Sequence, residues 1–222
     1  MTVRHFFRDN SLTIVIFGIF LFCITGMSIA GWLANNEALS DHYEARLSYG
    51  GYLVSGEFAE GVFENWESEF LQMWALIMLT VYLRQRGSAD SKSMKGNVSQ
   101  DASSRYSIIR ANTWQGRGKA VGYTIYTHSL GLAMLLLFIL SFSLHAAGGL
   151  AAYNQKAQQH GSETISLLQF LTSSEFWYQS LQNWQSEFLA IGMLLVLSIK
   201  LRERGSPESK PIGKKYDHKT GD

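Results

Sequence analysis

From Ser11 to Ala34 the chain carries no charged residue (SLTIVIFGIFLFCITGMSIAGWLA), and from Val121 to Gln155 there is again no Lys, Arg, Asp or Glu. A helix needs about 20 apolar residues to cross a hydrocarbon core of about 30 Å, so each window predicts a transmembrane helix. Two further apolar runs, Phe70 to Leu83 and Phe188 to Ile199, reach only about 20 Å at about 1.5 Å per residue. To span, they must recruit the residues before them, NWESE and NWQSE. The first window has the outline of a secretory signal, with Arg4 and Arg8 ahead of it and the small residues Ser28 and Ala30 near its end. It is longer than a usual signal core, and we read it as a span.

Shifted by 118 positions, the sequence lies on itself without a gap from about Ser11 to Lys92. Gly31 meets Gly149, Asn36 meets Asn154, His42 meets His160, NWESEFL (65–71) meets NWQSEFL (183–189), and LRQRGSADSK (83–92) meets LRERGSPESK (201–210). The expected fold is an all-α membrane protein: four transmembrane helices as a tandem parallel duplication of a two-helix unit. An even number of crossings per unit returns the chain to the same side, which relates the halves by an axis along the membrane normal. The helices are expected at about 11–34, 61–84, 126–150 and 179–200. The first repeat then covers 1–92, a linker 93–120, the second repeat 121–210 and a tail 211–222.

Charge sets the orientation. Arg4 and Arg8 precede the first helix, the stretch from Arg84 to Lys119 is rich in Lys and Arg, and the tail holds Arg202, Arg204, Lys210, Lys214 and Lys215. The positive-inside rule makes all three cytoplasmic, both termini included. The connections 35–60 and 151–178 face outward and are mainly acidic. The formal net charge of +1 thus hides a dipole across the membrane, and it gives no reason to expect nucleic acid. The basic stretches around Arg84 and Arg202 are expected to meet anionic lipid, with Gly87 and Gly205 ending the helices. Cys23 has no partner cysteine, so no disulfide forms within the chain.

The doubled NWxSEFL and LRxRGSxxSK motifs, with the outward form from Tyr153-Asn154 to His160-Gly161, resemble a bacterial integral-membrane family known only as a domain of unknown function. The resemblance covers nearly the whole chain. It implies a bacterial inner membrane and supplies no activity, substrate or catalytic residue. The first copy departs from the outward form, with Asn35-Asn36 and His42-Tyr43 in the corresponding places.

On a helical wheel of residues 57–73, Phe58, Val62, Trp66, Glu69, Phe70 and Met73 fall on one broad apolar face, with Glu60, Glu64 and Glu67 opposite. Glu69 is the acid on the apolar side, and Asn65 lies one turn before it. In the second copy Tyr178, Gln182 and Gln185 stand where the first has Glu60, Glu64 and Glu67, whereas Asn183 and Glu187 keep the Asn–Glu pair. Counting back from Arg84 and Arg202 places both acids roughly 7 Å below the outer boundary. A charge at such depth needs a partner, water or a proton, and His145 lies at similar depth on the third helix. The expected site is therefore an outer-leaflet polar cavity of Asn65, Glu69, His145, Asn183 and Glu187. The bland alternative is that these groups only tie helices together by hydrogen bonds.

Trp66, Trp177 and Trp184, with Tyr52, Phe58 and Tyr178, are expected in an outer aromatic belt. Small residues at four-residue spacing, Gly26, Ala30 and Ala34 on the first helix and Gly148 and Ala152 on the third, predict close helix contacts. No metal site is expected, because His42 and His160 supply one imidazole per loop unless the two copies converge. Haem is excluded by spacing, since His128 and His145 lie near opposite faces and helices 2 and 4 supply no histidine. With no cofactor and no nucleophile or phosphate-loop motif, the chain is read as non-enzymatic. The function expected is that of an inner-membrane protein with a proton or small-cation site, channel or transporter-like and assembled as a homodimer or larger. The alternative is a non-transporting membrane scaffold or envelope-stress protein that binds partners through its loops and linker.

Overall fold

The computed structural model describes residues 3–94 and 114–212, and within them every regular element is helical. In order these are α1 (Val3–Asp9), α2 (Ser11–Asp41), α3 (Tyr49–Leu53), α4 (Gly56–Tyr82), α5 (Trp114–Thr127), α6 (Ser129–Gln159), α7 (Leu167–Leu171) and α8 (Ser174–Lys200). The part of the expected linker at 95–113, with Lys95, Arg105 and Arg110, and the tail from 213 onward lie outside the described residues. Helix α5 occupies ground expected to be linker.

Every bound of α2, α3 and α4 recurs 118 residues later in α6, α7 and α8. The local chemistry recurs too. The Asn36 side chain accepts from the Leu47 amide at 2.7 Å and donates to the Leu47 carbonyl at 3.0 Å, and Asn154 does the same to Ile165 at 2.8 and 3.0 Å. One asparagine amide thus replaces a β-ladder partner and holds the returning chain against its helix. Ser48 and Ser166 then cap α3 and α7, Ser166 within a full capping box with Gln169.

Helices α2 and α6 are longer than expected, at 31 residues each, or about 46 Å against an apolar core of about 30 Å. Residues 35–41 were expected to be loop because they are polar. They stay helical because the C-terminal ends close with amide bonds five residues back, Glu44 to Leu39 at 2.9 Å and Ser162 to Ala157 at 2.8 Å. That closure puts the preceding residue in the left-handed region. Gly161 takes it at φ +67°, and Tyr43, in the corresponding place, takes it at φ +59°.

The inner ends also correct the expectation. Helices α4 and α8 stop at Tyr82 and Lys200, and Gly87 and Gly205, at φ +90° and +87°, turn the chain five residues further on. There the Ser91 and Ser209 hydroxyls accept from the amides of Gln85 and Glu203, and Lys92 caps α4 by donating to the Val81 carbonyl.

Two compact units make up the fold, Met1–Val62 with Leu144–Ser173 and Phe63–Ser143 with Ser174–Asp222. In the first, the start of α4 meets α6 through small residues. A Cβ at Gly148 would stand 2.7 Å from the Glu60 amide, and one at Gly56 would stand 2.7 Å from the Gly148 carbonyl. The expected contact at Gly148 and Ala152 is therefore present. The stripe on α2 behaves otherwise, since nothing lies within 4 Å of a Cβ at Gly26. The close approach on α2 is at Gly31, where a Cβ would clash with the Tyr52 hydroxyl, and Gly149 faces Phe170 in the same way. Burial, and then the nearby Glu57 charge, push the Tyr52 hydroxyl above its usual pKa, so it stays protonated.

The second unit holds the rest of α4, α8 and the inner part of α6. Its interior is aromatic around Trp184, with Phe138 and Trp177 edge-on at 6.3 and 6.1 Å, and Phe142 edge-on to Phe176 at 5.3 Å.

Candidate functional site

Burial in this chain runs opposite to that of a water-soluble domain. Among the described residues eleven buried side chains are polar or charged and seven are hydrophobic, while Phe22 on α2, Leu136 on α6 and Leu189 on α8 are 77%, 66% and 62% exposed. In water such an exterior would be a large aggregating surface. In hydrocarbon it costs nothing, and it is the polar groups that must turn inward and find partners.

This inversion decides which acid is buried. The wheel put Glu69 on the inward face and Glu67 on the solvated one, and the structure reverses them: Glu67 is fully buried and Glu69 exposed. The wheel supposed that the apolar face packs inward, which holds when the solvent is water. The Glu67 carboxylate accepts the Trp184 indole N–H at 3.0 Å. Trp184, expected in an outer belt, is thus half-buried and tied across to α4, while Trp66 is half-buried and Trp177 is exposed.

The remaining expected residues are brought together only in part. Asn65 is exposed and Asn183 and Glu187 are half-buried. Asn183 donates to the Gln179 carbonyl at 3.2 Å, one turn back along its own helix. His145 is fully buried but belongs to the first unit. Next to Glu67 on α4, Ser68 is buried, and one turn before Trp184 on α8 the Ser180 hydroxyl is fully buried with no hydrogen-bond partner. Glu67 and Trp184 lie inside the two NWxSEFL copies but were read as a solvated acid and a belt tryptophan, and Ser180 lies in no motif. The available signal was their spacing, Ser180 and Trp184 lying i, i+4 on one face of α8.

Toward the inner end of α4 and α8 lies a cavity of about 460 Å³. Leu76, Leu79, Phe188 and Leu195 make its walls, with Arg84 and Ser91 at its polar end. Just after the C-terminal ends of α2 and α6 the rings of His42 and His160 meet, with centroids 5.3 Å apart. Among the described residues no three His, Cys, Asp or Glu side chains gather as a metal-ligand set.

Fold and site together define a helical protein with two helices, α2 and α6, long and apolar enough to cross a membrane, and with a carboxylate in its interior. The chain belongs to the DUF6766 family, a domain of unknown function whose model matches residues 3–222. Comparison with curated proteins and with solved structures gives no match.

Proposed function

We propose that the chain is a multi-pass protein of the bacterial inner membrane that carries protons through Glu67. The fully buried Glu67 carboxylate, held by Trp184 in a molecule with an apolar exterior, is the observation that carries this reading. An ionisable group inside a membrane bundle is expensive, costing on the order of 3 kcal/mol at a helix centre, and where it occurs it serves an ion or proton path. A metal cation would need several ligands, and among the described residues no three His, Cys, Asp or Glu side chains gather. A proton needs only one carboxylate, and the buried Glu67 supplies it.

In this reading α4 and α8 span the membrane as α2 and α6 do, both termini are cytoplasmic, and the two halves arose by duplication. The recurrence of helix bounds and asparagine bonds at one offset supports the duplication. Asn65 and Glu69, exposed on one face of a membrane helix, support a homo-oligomer whose second copy shields that face from lipid. The inner cavity, apolar with Arg84 at its end, supports an anionic phospholipid as a bound partner.

The test is proton flux into liposomes holding the purified protein. Parent protein should dissipate an imposed pH gradient, and Glu67→Gln, which keeps the shape and the acceptor for Trp184, should abolish that flux with helix content unchanged. Glu69→Gln should leave flux within a few-fold of parent. Parent liposomes no leakier than empty ones would overturn the reading in favour of a scaffold.

A further inference from the structure

We propose that His42 and His160 form a two-imidazole site for a divalent transition-metal ion of the zinc class on the outward face of the first unit. The two histidines come from corresponding positions at the ends of α2 and α6, and each is displayed by the same helix ending, an amide bond five residues back followed by a left-handed residue. Their rings stand with centroids 5.3 Å apart and planes at 71°. A ring nitrogen binds zinc at about 2.0–2.1 Å, so the ring centroid sits about 3.2 Å from the ion, and two imidazoles on a tetrahedral ion have centroids about 5.2 Å apart. The observed spacing is close enough for both rings to reach one ion.

The tautomer is set as well. His160 Nδ1 lies 2.8 Å from the Lys156 carbonyl oxygen. A carbonyl only accepts, so Nδ1 carries the hydrogen and the neutral ring presents the Nε2 lone pair, the arrangement by which protein groups orient metal-binding histidines. The nearest cation on the same turn, Lys156, is matched by Glu57 at 3.3 Å, and Glu44 accepts the Gln159 amide at 3.2 Å beside the pair. The local field is therefore not hostile to a divalent ion. With two protein ligands, the remaining positions fall to water, which makes the site exchangeable and leaves open coordination for a second ligand.

Zinc chloride titrated by calorimetry into the full-length protein in nanodiscs should show one ion per chain, and His42→Ala and His160→Ala should each weaken binding at least tenfold. In the parent protein, zinc should protect His42 and His160 together from diethyl pyrocarbonate while leaving exposed His5 reactive, a readout that needs no variant to fold. The proposal is overturned if zinc binds more weakly than about 1 mM. It is equally overturned if either single variant binds like the parent, or if zinc protects only one of the two histidines.

Discussion

Replacing Gly148 by alanine adds one methyl group at a close helix contact in the first unit. The new Cβ would lie 2.7 Å from the Glu60 amide nitrogen, 2.8 Å from the Ala59 Cβ and 3.0 Å from the Ala59 carbonyl carbon. Comfortable carbon contacts are about 3.5–4.0 Å, so α4 and α6 must separate there by nearly 1 Å, and two of the three obstacles are backbone that no rotamer change can remove. Overpacking of this kind costs about 1–3 kcal/mol, and the better helix propensity of alanine returns up to about 1 kcal/mol. The net loss is about 1–2 kcal/mol. Gly26→Ala is the internal control, because open space surrounds its Cβ, and only the propensity gain of about 0.5–1 kcal/mol remains. Unfolding in mixed micelles with rising dodecyl sulfate, followed by tryptophan fluorescence, reads both. The close contact at Gly148 is refuted if Gly148→Ala is as stable as the parent, or if Gly26→Ala loses as much.

Tyr43 is 99% exposed yet holds the left-handed conformation that Gly161 takes in the other half. Tyr43→Gly should therefore stabilise the chain by about 0.5–1 kcal/mol, the strain relieved less the extra freedom of the unfolded glycine, and a lower melting temperature would contradict this. Removing the indole donor with Trp184→Phe takes away a hydrogen bond to the buried Glu67 and should cost about 0.5–1.5 kcal/mol in the same micelle titration; parent-like stability would refute the bond. After the end of α4, burial and then the facing Glu208 push the Asp90 carboxyl above its usual range. An acid raised in the folded state favours folding when protonated, a contribution present below its unfolded pKa and lost as pH rises through the folded one. Asp90→Asn should therefore raise stability at pH 7 by a few tenths of a kcal/mol, a small effect because Asp90 is partly solvated, and the gap should close on acidification; a gap independent of pH would count against the pairing.

What the sequence disclosed best was correspondence. Two copies of one pattern fix each other's register, so the offset that aligned Asn36 with Asn154 also aligned two helix ends, two caps and two asparagine clamps. Boundaries were less legible. Residues 35–41 are polar and ended the predicted span, but polarity ends a span and not a helix, and the stop comes from backbone closure at Tyr43 and Glu44. The wheel turned Glu69 inward and Glu67 outward, and the structure buries Glu67 and exposes Glu69. Telling Glu67 from Glu69 required knowing which side of α4 packs against α8, and a wheel drawn for one helix carries no information about its neighbours. The meeting of His42 and His160 was foreseen only as the condition for a metal site, because convergence of two loops is a property of tertiary structure.

The central claim is that a carboxylate inside an apolar-skinned bundle takes and gives up a proton. Infrared difference spectroscopy of the protein in liposomes, taken across a pH titration and compared with Glu67→Gln, observes that group directly. The account predicts a protonated-carboxyl carbonyl band that grows as pH falls, is absent from Glu67→Gln, and persists in Glu69→Gln. A spectrum in which Glu67 stays in one protonation state over the whole pH range that leaves the helices intact would contradict it, since a group that never exchanges its proton cannot carry one.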